Sequence, residues 1–240
     1  MPVSKDSGRS ENQLLAALPA QEYQRLVPHL EKVSIEIGQV LYDHFQPIEY
    51  VYFPIQGLVS LLYVMEDGST VEVGLVGHEG MVGIPVILGG MKTTNQALVQ
   101  VAVSAMRMEA SRLKSEFDRG GELQRILLRY TQVLLSLVSQ TAACNRLHTL
   151  EERLSRWLLL VQNRLQSDEL PLTQEYISQM LGTRRSGVTV AAGTLQEAGI
   201  ISYKRGKITI LNQENLEATA CECYQVIKTE FARLLNAKPG

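Results

Sequence analysis

The sequence predicts an α+β protein in three parts: an N-terminal β-roll, a long central helix and a C-terminal winged helix-turn-helix. Three observations lead to this fold class. Apolar residues between about residues 32 and 108 recur with a period of two, which is typical of strands. From residue 111 onwards the apolar spacing changes to three and four, which is typical of helices. Near the C-terminus, two short helical patterns are followed by two short strand patterns.

A pair of short helices is predicted around a turn at Gly182. Thr173 is a good N-cap for the first helix, because its hydroxyl can accept a bond from a free backbone amide. Gly182 ends that helix, and the second begins within three residues, which together predict a helix-turn-helix. In DNA-binding versions the start of the second helix enters the major groove. We therefore expect base contacts from Arg184, Arg185, Ser186 and Thr189.

A β-hairpin follows the two helices, with strands at residues 200–204 and 207–211 and a tight turn at Arg205-Gly206. Residues 182–211 contain five basic side chains and one acidic one, in a chain whose net charge is −2. A local basic patch is what a phosphate-facing surface needs. A helical pair used only for packing is the less favoured alternative. We expect phosphate contacts from Thr173, Lys204, Arg205 and Lys207.

Turn signals punctuate the N-terminal half at intervals of about ten residues, including Gln56-Gly57 and Asp67-Gly68. Asp67-Gly68 lies between two alternating apolar runs and is a strong hairpin signal. Many short strands at even spacing predict a sandwich or barrel. We assign the β-roll to residues 12–118, behind a disordered tail at residues 1–11.

A long helix is predicted from Glu122 to about His148, within a dimerisation segment at residues 119–148. Its apolar positions recur at alternating spacings of four and three, which form a heptad seam. A seam of this length between two domains is best buried by a second copy, so we predict a parallel homodimer. Burial within the same chain is the alternative. The predicted interface residues are Leu123, Leu127, Tyr130, Leu134, Leu137, Thr141 and Cys144.

The C-terminal domain is assigned to residues 149–240 and ends in one helix at residues 212–235. Residues two apart on a helix point to different sides, so Cys221 and Cys223 are not expected to share a metal or a disulfide. A buried apolar role is favoured for Cys144 over a redox role. No cofactor and no metal site is expected.

The composition limits the function classes. Three scattered cysteines fit a reducing cytoplasm, and neither a signal peptide nor a transmembrane run is found. The sequence has no P-loop, no Gly-x-Ser-x-Gly and no metal-binding His pair, so an enzyme is not expected. The main alternative is a β-roll that binds a small molecule or a partner, with a winged helix that does not read DNA specifically.

The order of the three parts resembles the Crp/Fnr regulators of bacteria. The most specific match is residues 172–185, with the Thr at the start of the helix-turn-helix, the Gly at its turn and Arg185 at the base-contacting position. The resemblance implies an eight-stranded β-roll and a homodimer that binds a pseudo-palindromic operator. It also implies RNA polymerase as a further partner. Ser186 and Val190 stand where the family commonly has Glu and a second Arg, so a different operator is expected.

The resemblance also implies an effector pocket in the β-roll. Family members that bind cyclic nucleotides carry a Gly-Glu pair for the ribose and an Arg-Ser pair for the phosphate. Here Ile84 aligns with that Glu, and Asn95 and Gln96 align with Arg and Ser. Glu79 is a candidate shifted ribose ligand, although a turn at His78-Glu79 is favoured over a site. A buried phosphate without its Arg loses a pair worth about 1.5–3 kcal/mol, so cyclic AMP is not expected in its usual pose. The effector stays unidentified.

One further family sensor is not expected. Oxygen-sensing members hold an iron–sulfur cluster with cysteines near the N-terminus. This chain has no cysteine before Cys144, and thiolates are the usual cluster ligands.

Overall fold

The computed structural model describes residues 10–235. The expected disordered tail therefore lies outside the described residues, except for its last two positions. Two short helices come first, α1 (Gln13–Ala16) and α2 (Ala20–Leu26), followed by a 3-10 turn at Val27–His29. The buried Asn12 caps α1, and its side-chain amide donates to the carbonyl oxygens of Pro54 and Gly80, both at 2.9 Å. This side chain therefore ties the N-terminal helix to the β-domain.

Five strands form the N-terminal sheet: β1 (Glu31–Ile35), β2 (Val40–Tyr42), β3 (Tyr50–Val64), β4 (Thr70–Val76) and β5 (Asn95–Glu109). They are antiparallel in the order β1-β5-β3-β4, and β2 also pairs with β5. The hairpin turn predicted at Asp67-Gly68 connects β3 to β4. The β-roll prediction is confirmed, although fewer and longer strands carry it than the eight that the resemblance implied.

The difference arises at Gly57, where a turn was expected and β3 instead continues through shifts in register. Gly57 has a φ of +89°, a conformation that L-residues with side chains rarely adopt. A Cβ at this position would lie 2.2 Å from the carbonyl oxygen of Ala102 on β5. Glycine here therefore permits a bulge that bends the strand without ending it.

Two helices leave the sheet, α3 (Ala110–Asp118) and the 26-residue α4 (Glu122–Leu147). The long helix is where the sequence predicted it. The carboxylate of Glu22 accepts bonds from the backbone amides of Glu122 and Leu123, at 3.0 and 2.8 Å. A carboxylate at a helix N-terminus also interacts favourably with the helix dipole. The start of α4 is thus fixed to α2.

The dimer seam predicted on α4 is wrong, because the chain buries most of these side chains itself. Leu127, Tyr130 and Cys144 have no exposed surface, and Leu123 and Leu137 have almost none. Leu134 and Thr141 are partly buried, with Leu134 packed against the core. Heptad spacing identifies an apolar stripe but not the element that covers it, and here the β-domain and the C-terminal helices cover it. The alternative of burial within the same chain holds for this seam.

The C-terminal domain begins with α5 (Leu150–Leu165), whose N-terminus has a capping box between Thr149 and Glu152. The helix-turn-helix follows as α6 (Gln174–Met180) and α7 (Arg185–Glu197). Strands β7 (Ile201–Lys204) and β8 (Lys207–Ile210) form the predicted wing. A strand that was not predicted, β6 (Glu169–Leu170), pairs with β8 and extends the wing to three strands.

The last helix predicted at residues 212–235 is two helices, α8 (Gln213–Thr219) and α9 (Cys223–Leu235). The apolar stripe continues across the break at residues 220–222, so the periodicity did not reveal it. Ala220 has the extended conformation, with a ψ of 147°, and ends α8. The break places Cys221 outside both helices.

The two halves of the molecule meet at the buried carboxyl group of Glu72 on β4. Its Oε2 accepts a bond from Ser60 on β3 at 2.6 Å, and its Oε1 accepts one from the indole of Trp157 on α5 at 2.9 Å. The hydroxyl of Tyr176 on α6 lies 3.2 Å from the Ser60 hydroxyl. Burial raises the pKa of Glu72 to about 7, although both hydrogen bonds oppose the rise.

This shift predicts the pH dependence of folding. The folded state binds the Glu72 proton more tightly than the unfolded chain, whose ordinary pKa is 4.5. Stability should therefore decrease by roughly 3 kcal/mol as pH rises from 4.5 to about 7, and no further above that. Glu72→Gln keeps the acceptor for Trp157 and removes the titration, so its unfolding free energy should lack this decrease. Urea unfolding across this pH range measures the effect.

Glu66→Gln is the matched control, because Glu66 is exposed on the neighbouring turn. This variant should retain the decrease. A wild-type protein and a Glu72→Gln variant with the same pH profile would contradict the assignment.

Candidate nucleic-acid interface

The helix-turn-helix has the predicted local geometry. The hydroxyl of Thr173 accepts a bond from the backbone amide of Tyr176 at 3.2 Å, which caps α6. Gly182 follows α6 in the left-handed conformation, with a φ of +57°. The second helix, α7, buries one face, which consists of Val188, Ala191, Ala192 and Leu195. The opposite face of α7 therefore points away from the core.

That outer face carries all four residues proposed for base contacts. Arg184, Arg185, Ser186 and Thr189 are exposed at the start of α7. The Thr189 hydroxyl lies 3.1 Å from both Gln174 Oε1 and the carbonyl oxygen of Arg185. Within residues 10–235, neither arginine forms an ion pair or a side-chain hydrogen bond. Both guanidinium groups are therefore available to an external acceptor.

The wing extends the same surface. Lys204 and Arg205 are exposed at its tip, where Arg205 and Gly206 both have positive φ values of 50° and 77°. Two consecutive positive φ values are typical of a type I′ hairpin turn. Thr173 lies beside this turn, since a Cβ added to Gly206 would be 3.4 Å from the Thr173 methyl carbon. The structure thus brings the wing tip and the start of α6 together.

One predicted phosphate ligand has a partner within the chain. Lys207 forms an ion pair with Glu169 on the unpredicted strand β6. Both side chains are exposed, so this pair contributes little to stability and a phosphate can compete for the lysine. The sequence did not reveal this partner, because Glu169 lies 38 positions before Lys207 in the chain.

A cavity of about 190 Å³ lies between the N-terminal sheet and α4. Of the predicted effector residues, Ile84 and Asn95 line it, and Glu79 and Gln96 do not. Its polar side chains include Asn95 and Thr131, and its walls are otherwise mainly aliphatic. No Lys, Arg or His is among the described residues that line it. The cavity therefore has no cation for an anionic ligand.

Glu79 has a different role from the one considered for it. Its Oε1 pairs with Arg164 Nε of α5 at 2.9 Å, and both side chains are buried. Arg164 also donates to the carbonyl oxygens of Leu75 and Leu160, at 3.2 and 3.1 Å. The pair joins the turn after β4 to α5. Its two members are 85 positions apart in the chain, so the sequence around Glu79 does not reveal the pairing. Gln96 donates instead to Asp43 at 3.0 Å.

The three cysteines lie together, contrary to prediction. Cys144 Sγ is 3.5 Å from Cys221 Sγ, and Cys223 Sγ is 3.5 Å from His148 Nδ1. The sequence argument assumed one helix across residues 212–235, on which Cys221 and Cys223 would diverge. The break before α9 removes that constraint and turns both thiols toward the end of α4.

The fold and its basic surface define a class of protein, a DNA-binding regulator with a sensor-type β-domain before a winged helix. Residues 32–119 match the family model of the cyclic nucleotide-binding domain, and residues 152–219 match that of the Crp-like helix-turn-helix domain. No helix among the described residues is long and apolar enough to cross a membrane.

Known proteins with similar sequence or structure support the same class. The chain is 24% identical to a global nitrogen regulator of Nostoc sp. over 188 residues, which are 74% of this chain and 83% of the relative. It is 24% identical to a CRP-like cAMP-activated global transcriptional regulator of Mycobacterium tuberculosis over 202 residues, which are 81% of this chain and 90% of the relative. The structure of FixK2 from Bradyrhizobium japonicum superposes with a TM-score of 0.70 at 20% identity, covering 80% of this chain and 98% of that one. The chain belongs to the Crp/Fnr family of transcription regulators.

Proposed function

We propose that this regulator acts as a cytoplasmic homodimer that binds a pseudo-palindromic operator and contacts RNA polymerase. The main support for the DNA-binding surface is a set of exposed cations at the start of α7 and at the wing tip. Arg184, Arg185, Lys204 and Arg205 have no ion-pair partner within residues 10–235. Arg185 reads a base edge, and Arg184, Ser186 and Thr189 share base or phosphate contacts. Thr173, Lys204, Arg205 and Lys207 hold phosphates. Two recognition helices then occupy major grooves about one helical turn apart.

A second apolar stripe on α4 supports the dimer. Leu128, Leu135 and Ala142 are exposed and recur every seven residues, and Val138 is exposed beside them. Leu135 is 63% exposed, which is unusual for a large apolar side chain at the centre of a helix. Because seven-residue spacing keeps one face toward a partner helix, we assign the interface to this stripe in place of the buried seam.

The cavity beside α4 supports an uncharged effector. Its mainly aliphatic walls and its three neutral polar side chains, Tyr42, Asn95 and Thr131, suit a small apolar molecule with one hydrogen-bonding group. Leu135 and Val138 line this cavity and also belong to the proposed dimer stripe. A ligand held by the sensor domain at residues 12–118 therefore contacts the interface and can shift the position of the DNA-binding domains.

The DNA-binding function predicts different effects for two basic residues. Arg185→Ala should weaken operator binding by about 1–3 kcal/mol and relax specificity at one base pair in each half-site. Lys204→Ala, the matched control, should weaken binding to all sequences and lower the salt dependence by about one unit per contact. Selection from random duplex DNA, followed by titrations at several salt concentrations, measures both effects. Equal losses on operator and random DNA for Arg185→Ala would support the alternative of a winged helix that does not read sequence.

The interface assignment predicts a monomer for Leu135→Glu, because two buried carboxylates would face each other across the helix pair. Ala143→Glu is the control, since Ala143 is exposed and lies outside the stripe. Sedimentation should give a dimer for the wild type and for Ala143→Glu. A Leu135→Glu protein that remains fully dimeric would rule out this interface.

The effector assignment predicts no stabilisation by cyclic AMP. A ligand that binds the folded state raises the melting temperature, and the cavity lacks a cation for the cyclic phosphate. Cyclic AMP in millimolar excess should leave the melting temperature unchanged. An increase that Asn95→Ala abolishes would place the nucleotide in the cavity and contradict an uncharged effector.

A further inference from the structure

Four residues with metal-binding side chains surround one point at the junction of α4 and α9. Cys144 lies on the last turn of α4 and His148 directly follows that helix, while Cys221 lies in the loop before α9 and Cys223 begins α9. Their nearest ligand atoms all lie within 4.8 Å of one another. All three thiols are buried, and His148 is partly buried.

The distances suit one tetrahedral ion. A zinc ion with Zn–S bonds of about 2.3 Å places its sulfur ligands about 3.8 Å apart. Two of the separations between ligand atoms are 3.5 Å here, and all of them are within 4.8 Å. Three Cys and one His form a common structural zinc set, with all four positions filled by protein. Small side-chain movements would therefore complete the coordination.

The neighbouring groups orient these ligands. His148 presents Nδ1 to Cys223, and its Nε2 lies 3.2 Å from a carboxylate oxygen of Glu222. A carboxylate on the other ring nitrogen is the usual partner of a metal-binding histidine, because it fixes the ring and its tautomer. Gln140 donates its side-chain N–H to the Cys223 sulfur at 3.0 Å and so helps to hold that side chain in place.

Two arginines give the cluster a positive environment. Arg156 is buried, donates to the Thr141 hydroxyl at 3.3 Å and forms no ion pair among the described residues. Arg153 donates to the carbonyl oxygen of Leu181, and the Nε atoms of both arginines have no hydrogen-bond partner in the part of the chain that the structure describes. Burial raises the pKa of Cys144, and the charge of Arg156 opposes that rise. A site with three thiolates and one divalent cation carries a net negative charge that these arginines would balance.

We propose that Cys144, His148, Cys221 and Cys223 bind a single zinc-type divalent cation. Binding would release the thiol protons to solvent and form three metal–sulfur bonds and one metal–nitrogen bond. The ion would connect the C-terminal end of α4 to the N-terminal end of α9, which begins 75 residues after His148 in the chain. It would thereby fix the last helix of the DNA-binding domain to the long helix.

The test is a titration of the reduced, metal-stripped full-length protein with Co²⁺, followed by displacement with Zn²⁺. The wild type should bind one Co²⁺ per chain with the visible bands of tetrahedral coordination and thiolate-to-cobalt charge transfer. Zn²⁺ should remove these bands and raise the melting temperature. Cys221→Ser and His148→Ala should weaken Zn²⁺ binding by more than tenfold, and His44→Ala, on the surface of the β-domain, should bind as the wild type does.

Glu222→Gln provides a variant that should fold normally, because Glu222 is exposed. It removes the charge beside His148 and should weaken Zn²⁺ binding by about 10–100-fold without changing the cobalt spectrum. Absence of the tetrahedral bands in the folded, reduced wild type would overturn the proposal. Wild-type affinity in both Cys221→Ser and His148→Ala would also overturn it. So would a bound cluster of iron and sulfide, or a Cys144–Cys221 disulfide in a protein that binds no metal when reduced.

Discussion

The buried carboxyl group of Glu72 determines how the two halves of this regulator fit together. It accepts bonds from β3 and α5, and the Ser60 hydroxyl extends the network to Tyr176 on α6. A neutral carboxyl costs far less to bury than a carboxylate, so the docked arrangement favours the protonated form. Any movement that separates the helix-turn-helix from the sheet would hydrate this group and return its pKa toward the ordinary value. The stability of the interface between the two halves should therefore depend on the protonation of Glu72.

A second link supports the first through a different kind of interaction. Glu79 and Arg164 form a buried ion pair, and removal of one partner would leave the other as an uncompensated buried charge. Both links use α5, which carries Trp157 and Arg164 less than two turns apart. Because α6 packs by its inner face, the exposed surface of α7 and the wing stays available. The same docking therefore holds the domain in place and presents its cations outward.

Local sequence patterns predicted the helices and strands. They did not predict how these elements pack, because packing depends on residues that are distant in the chain. Thr173, Gly182 and the hairpin turn were readable because capping and positive φ values depend on neighbouring residues only. The α4 seam was misassigned because its spacing is the same whether a sheet or a second helix covers it. The ion pair of Glu79 could not be predicted, because its partner, Arg164, lies on another domain. The exposed arginines of α7 needed no distant partner, which is why their location could be predicted.

The cysteine cluster could not be predicted from local patterns either, because it depends on the break between α8 and α9. One helical break of three residues changes Cys221 and Cys223 from diverging positions into a pair that faces Cys144. The cluster lies at the far end of α4 from Glu22, and the cavity proposed for an effector lies between these two ends. An ion at one end and a ligand at the middle would then act on a single rigid helix. That helix also carries the proposed dimer stripe. Binding of the ion and binding of the ligand would therefore both act through α4 on the distance between the two recognition helices.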